Sequence, residues 1–144
     1  MLTITPFKVE HFYRLDIQPA QRWAIRHVGR GLLEGLEGCG WSTTVLKDGA
    51  PVLVGGVLSN ADHCATVWSY VGLGMTPQEF AIVHKHVQRF IDTLPFRRLD
   101  MVVAADHKEG HRWAKLLGFT CEAETMRAFL ANGDDAALYA RVRG

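Results

Sequence analysis

This sequence predicts a mixed α/β fold: a mainly antiparallel central sheet of about seven strands, with helices on both faces. Three observations carry that expectation. Strand-like runs follow one another from Trp41 to Val71, joined by short turns. A helix opened by Thr76-Pro77 comes next and is followed by the apolar run Leu99 to Ala104, which makes a strand–helix–strand crossover, right-handed by default. A second helix begins near Asp106, stops at Gly118-Phe119, and leads into two closing strands, Thr120 to Phe129 and Ala136 to Val142.

Each element has its own local reason. Leu2, Ile4 and Phe7 give a short first strand, and Pro6 ends it or places it at an edge. Glu10 to Leu15 reads as a brief helix. Gln21 to Val28 reads as a second, with Trp23, Ile25 and Val28 apolar, and Leu32, Leu33 and Leu36 mark a third. Gly29, Gly31, Gly35, Gly38 and Gly40 punctuate this region and blur its boundaries. Trp41 to Leu46 and Pro51 to Leu58 flank Asp48-Gly49, a strong hairpin signal. Ser59 to Asp62 forms a second turn, and Ala65 to Val71 is rich in β-branched and aromatic side chains. Thr76 suits an N-cap, Pro77 the first helical position, and Glu79 the far side of a capping box. Phe80, Val83, Val87, Phe90, Ile91 and Leu94 then recur at helical spacing, with Pro95 beyond the end. Leu99 to Ala104 is expected to be a central parallel strand buried on both faces.

The length fits a single domain over residues 1–144 with a real core. A hydrophobic share of 48% against 22% charged excludes a disordered chain. A net charge of +1 gives no reason to expect nucleic acid or an anionic membrane as partner. Cys39, Cys64 and Cys121 are odd in number and widely spaced, so a disulfide framework is not expected and a reducing, cytoplasmic compartment is. The N-terminus lacks the basic start and apolar run of a signal peptide. The longest apolar run, Ala50 to Leu58, is about half what a membrane helix needs.

The order of elements, with the segment Asp106-His-Lys-Glu-Gly-His-Arg-Trp-Ala-Lys-Leu-Leu-Gly-Phe119, resembles a GCN5-related N-acetyltransferase domain. More loosely, Gln18-Pro-Ala-Gln21 and His111-Arg-Trp113 resemble short acetyltransferase-like proteins of tailed phages, some of them virion-associated. The family resemblance implies a fourth and a fifth strand that splay apart around acetyl-CoA. It implies transfer of the acyl group by direct attack of an amine borne by a small molecule or a protein, in a monomer or homodimer. Val71, Gly72, Leu73, Gly74, Met75 and Thr76 then fall where the cofactor is bound. Exposed backbone at the strand end would pair with the pantetheine arm, as an added strand does, and would orient the thioester and hold its oxyanion. The acceptor would be set by the region Arg30 to Gly40.

The residues depart from the family pattern at both ends of that cofactor. The family's phosphate loop reads Arg or Gln, two residues, Gly, one residue, Gly or Ala, whereas this chain has Gly72-Leu-Gly-Met-Thr-Pro-Gln-Glu79. Thr76 and Glu79 already serve the helix start, and a carboxylate there repels a pyrophosphate. The family's frequent Asn and Tyr of the last helix fall at His107 and Ala114. His107 is thus a candidate for both cofactor contact and acid catalysis, with Tyr139 and Ser69 as further candidates. Asp62 and His63 could act as a base through water, although a solvated turn is the favoured reading of them. No metal site is expected: His107 and His111 lie four apart on one helix without a third ligand. Trp41 could line the acceptor side. The degenerate loop leaves a second class open, a non-catalytic protein of the same fold that acts through protein contacts in a virion or on a host.

Overall fold

The computed structural model describes all residues 1–144. Seven strands form one sheet in the order β1-β2-β3-β4-β5-β7-β6. They are β1 Leu2–Pro6, β2 Ser42–Lys47, β3 Ala50–Ala61, β4 Cys64–Val71, β5 Arg98–Ala104, β6 Thr120–Met126 and β7 Ala136–Val142. Every neighbouring pair is antiparallel except β4 and β5. The helices are α1 Val9–Arg14, α2 Trp23–His27, α3 Arg30–Glu37, α4 Pro77–Thr93 and α5 Lys108–Leu116, with a 3-10 turn at Pro19–Gln21.

The local signals produce the predicted elements. Asp48 and Gly49 both take positive φ, the conformation a tight two-residue hairpin requires, and Lys47 pairs with Ala50 across it. The second turn is shorter than expected, because β3 runs on to Ala61. The Thr76 hydroxyl accepts the Glu79 N–H and the Glu79 carboxylate accepts the Thr76 N–H, so the capping box at α4 is complete. Gly118, at φ +90, ends α5. Its N–H donates to Lys115 O, and the Phe119 N–H reaches Ala114 O. This paired closure satisfies two helix-end carbonyls and buries Phe119 beside Ala114 in one core cluster. That is the physical content of the Gly-Phe stop.

Alternation along the strands divides the apolar side chains between two cores. On one face Leu53, Val57, Leu99, Met101, Val103 and Tyr139 pack beneath Val83 and Ile91 of α4, Trp113 of α5 and Leu117 just past the end of α5. On the other, Val54 packs with Phe7, Phe12, Leu15, Ile17, Ala24 and Leu33, covered by the three N-terminal helices, with Trp68 and Tyr70 against them. β5 departs from expectation. Leu99, Met101 and Val103 are buried while Arg98, Asp100, Val102 and Ala104 are only half-buried. Its parallel pairing with β4 is short, so its other face borders an opening instead of a helix layer.

Candidate functional site

β4 and β5 pair at Cys64–Arg98, Ala65–Leu99 and Thr66–Asp100, and then part. β4 stays bound to β3 as far as Val71, and β5 to β7 as far as Ala104. Between the parted ends lies a cleft of about 200 Å³. Met101, Val103, Val67 and Val71 give it an apolar body, and Trp23, Trp68, Ser69 and His107 are also among its lining residues. No Asp, Glu, Lys or Arg lines it. A shallower groove of about 160 Å³, lined by Gln18, Val71, Phe80, His107, Arg112 and Leu116, lies between α4 and α5.

The cleft-facing edge of β4 is not free. The Gln21 side chain donates from Nε2 to Ser69 O and accepts the Val71 N–H at Oε1, both at 2.9 Å. Gln18 N donates to Val71 O at 2.8 Å, and the Gln18 side chain donates to Gln21 Oε1. The Pro19–Gln21 turn therefore stands where an added strand would pair. These are the groups that the resemblance offers to a pantetheine arm, and an arm on that path must displace Gln21.

The loop after β4 is equally committed to its own chain. Gly72 N donates to Val52 O and Leu73 N to Asp16 O. A Cβ at Gly72 would stand 2.7 Å from Leu15 Cδ1, so this glycine admits the Leu15–Ile17 segment, not a ligand. Gly74 O accepts the Lys47 ammonium at 2.7 Å, and Met75 packs against the larger core. Lys47 also pairs with Glu79 at 2.9 Å. The Thr76 N–H, and next the Lys47 ammonium, hold the Glu79 carboxyl below its ordinary pKa, so it is ionised at the start of α4. An anionic helix start with a Pro at its first position does not fit a pyrophosphate. The phosphate end of the cofactor finds no cradle at α4.

His107 does reach the cleft. It sits at the N-cap of α5, only 8% exposed, and lines both the cleft and the groove. Its Nε2 is buried without a partner. Gly110 makes room for the ring, since a Cβ there would lie 2.6 Å from His107 Nδ1. Burial lowers the His107 pKa, ahead of an opposing pull from Glu109. Ser69 also borders the cleft. Tyr139 does not line it: this buried side chain is bonded to His111 Nδ1 at 2.7 Å, beneath α5. His111 Nε2 meets Ala105 O, so both ring nitrogens of His111 are engaged and none is left for a metal shared with His107. Ala114 is fully buried in the core. Trp41 packs edge-on against Phe96, away from the cleft. Asp62 and His63 lie in the turn before β4, at the opposite end of that strand from the cleft mouth at Val71.

The residues missing from the sequence reading of this site are Gln21, Trp23 and Trp68. The expected acceptor region, Arg30 to Gly40, contributes nothing to the cleft lining; the shorter segment Gln21 to Trp23 does. Local pattern could not show this, because Gln21 meets Ser69 across 48 residues of sequence.

No family model matches the chain, and no curated protein sequence matches it. Solved structures do. Ard1 from Thermoplasma volcanium superposes with a TM-score of 0.75 at 15% identity, covering 98% of this chain and 97% of that one. The ribosomal-protein-S18-alanine N-acetyltransferase from Escherichia coli gives 0.74 at 17% identity over 99% of this chain and 94% of that one. A GNAT-family acetyltransferase from Streptococcus pneumoniae gives 0.69 at 10% identity over 99% and 100%. The chain has the acetyltransferase fold. Likeness at these identities establishes the architecture alone, and the phage resemblance draws no support from it.

Proposed function

We propose that this protein is an N-acyltransferase whose donor is an acyl thioester such as acetyl-CoA and whose acceptor is a primary amine on a small molecule or a protein. The observation that carries this reading is the cleft between β4 and β5, with His107, whose buried Nε2 has no bond within the protein, among its lining residues. Acetyl-CoA, when bound, supplies the acyl group in activated form. His107 would hold a proton at Nε2 for a departing thiolate, in place of the tyrosine that Ala114 displaces. A neutral imidazole is too weak an acid to surrender that proton, so its N–H would stabilise the leaving thiolate by a hydrogen bond and the thiolate would take its proton from solvent at the cleft mouth. The apolar walls would exclude water from the thioester. Nothing in the lining offers a carboxylate base, so the amine must arrive neutral or lose its proton to solvent at the cleft mouth.

Two observations favour a second reading, a protein of this fold that transfers nothing and acts through protein contacts. Gln21 fills the β4 edge, and Glu79 occupies the α4 start. Thermal unfolding with excess acetyl-CoA separates the two. A ligand at about 100 times its dissociation constant adds roughly 2.7 kcal/mol to the folded state. The transferase reading predicts a clear rise in melting temperature; an unchanged melting temperature at millimolar acetyl-CoA leaves only the second reading.

A further inference from the structure

Under α4, three successive strands present small side chains at one level of the sheet. Gly55 of β3 pairs with Thr43 of β2 on one side and with Ser69 of β4 on the other. Leu53 and Val57, two residues either way from Gly55, belong to the core beneath α4, and alternation turns Gly55 to the same face. Opposed residues of paired strands share a face, so Thr43 and Ser69 point there as well. Nothing larger fits at Gly55 without a shift of β4, since a Cβ there would stand 2.9 Å from Trp68 O and 3.2 Å from Ser69 Cβ.

This row of small residues leaves a hollow. A cavity of about 50 Å³ is lined by Thr43, Gly55 and Ser69 on the sheet and by Val87, Phe90 and Ile91 on α4. No charged side chain lines it. Roughly 10–15 Å³ is room enough for one water, and protein interiors leave few larger voids. Val67, Trp68, Ser69, Met101 and Trp113 line both this cavity and the cleft between β4 and β5, so the two spaces abut. Among these shared residues Met101, unbranched and adaptable, is the one best able to yield. His107, placed to meet the departing thiolate, stands at α5, whose Trp113 also lines the cavity. The N-terminal helices, on the other face, contribute nothing to it.

We infer that the cavity receives the hydrocarbon end of the donor's acyl group, and that the protein prefers a short apolar chain such as butyryl to acetyl. This rests on the transferase reading for the identity of the occupant. The space itself is tested without any donor.

Xenon tests the space. In carbon-13 NMR of the ligand-free protein, xenon under pressure should shift the methyl signals of Val87, Ile91 and Leu117, which line the cavity and not the cleft. Calorimetric titration with acetyl-, butyryl- and decanoyl-CoA tests the occupant. Each buried methylene contributes about fourfold in affinity, so butyryl-CoA should bind on the order of tenfold tighter than acetyl-CoA. Decanoyl-CoA, too long for the cavity, should lose that gain. Val87→Phe fills the cavity and should remove the xenon shifts and the butyryl preference together. Val87→Ala enlarges the cavity and should move the preference toward hexanoyl-CoA, which keeps the test valid if the phenylalanine variant is unstable. The inference is overturned if xenon leaves these methyls unmoved or if the butyryl preference survives Val87→Phe. Binding of acetyl-CoA with no gain for butyryl-CoA overturns the inference alone. Binding of no acyl-CoA at all overturns the transferase reading with it.

Discussion

His107 combines three properties: it is buried, it stands at the N-cap position of α5, and its Nε2 has no bond within the protein. Burial lowers its pKa in the folded chain, with Glu109 and Asp106 opposing and His111 assisting. His11, also buried, is lowered for the same first reason. An unfolded histidine titrates near about 6.5. Below that value the unfolded chain holds more protons than the folded one, so the stability tied to these neutral rings is complete above it and is lost as the pH falls. His107→Gln should flatten part of this acid loss, leaving the part due to His11. Urea denaturation at about pH 7.5 and about pH 5.5 measures it, and equal losses in the variant and the parent would show that the ring is not held neutral. The position was legible in the sequence because His107 stands just ahead of a well-marked helix. The free Nε2 was not, since it depends on Gly110 and on the parting of two strands.

The 3-10 turn Pro19–Gln21 and the end of β4 act as one unit. Gln21→Ala removes two hydrogen bonds from the β4 edge and should cost about 1–3 kcal/mol in chemical denaturation. The same change takes the side chain off the edge and leaves only the Gln18 N–H on Val71 O, so acetyl-CoA should bind the variant more tightly than the parent. Weaker binding would mean that Gln21 supports the donor instead of blocking it. Gly72→Ala forces a Cβ to within 2.7 Å of Leu15 Cδ1 and 3.2 Å of Asp16 O and Val52 O, two of them backbone atoms that cannot step aside. A loss of about 1–3 kcal/mol is expected from a melting curve, and a neutral result would contradict the tight seat of the Leu15–Ile17 segment on β4. At this scale the sequence was most informative where chemistry is local. The Asp48-Gly49 turn, the Thr76–Glu79 box and the Gly118-Phe119 closure all form as their residues demand. It was least informative where backbone groups are claimed from afar, as Val71 is by Gln18 and Gln21.

Across the whole molecule the cleft runs through the sheet, with the indoles of Trp23 and Trp68 toward one helix layer and His107 toward the other. The element order in the sequence was enough to anticipate the strand crossover and the mixed sheet. It could not reveal that the β4 edge is already paired within the chain, which is the fact that most restrains the transferase reading. Backbone amide NMR with acetyl-CoA tests that reading most directly. If the donor lies along β4, the Ser69 and Val71 amides, the His107 ring and the Gln21 side-chain amide should all shift as Gln21 gives way. Saturating acetyl-CoA that leaves these signals in place would contradict it.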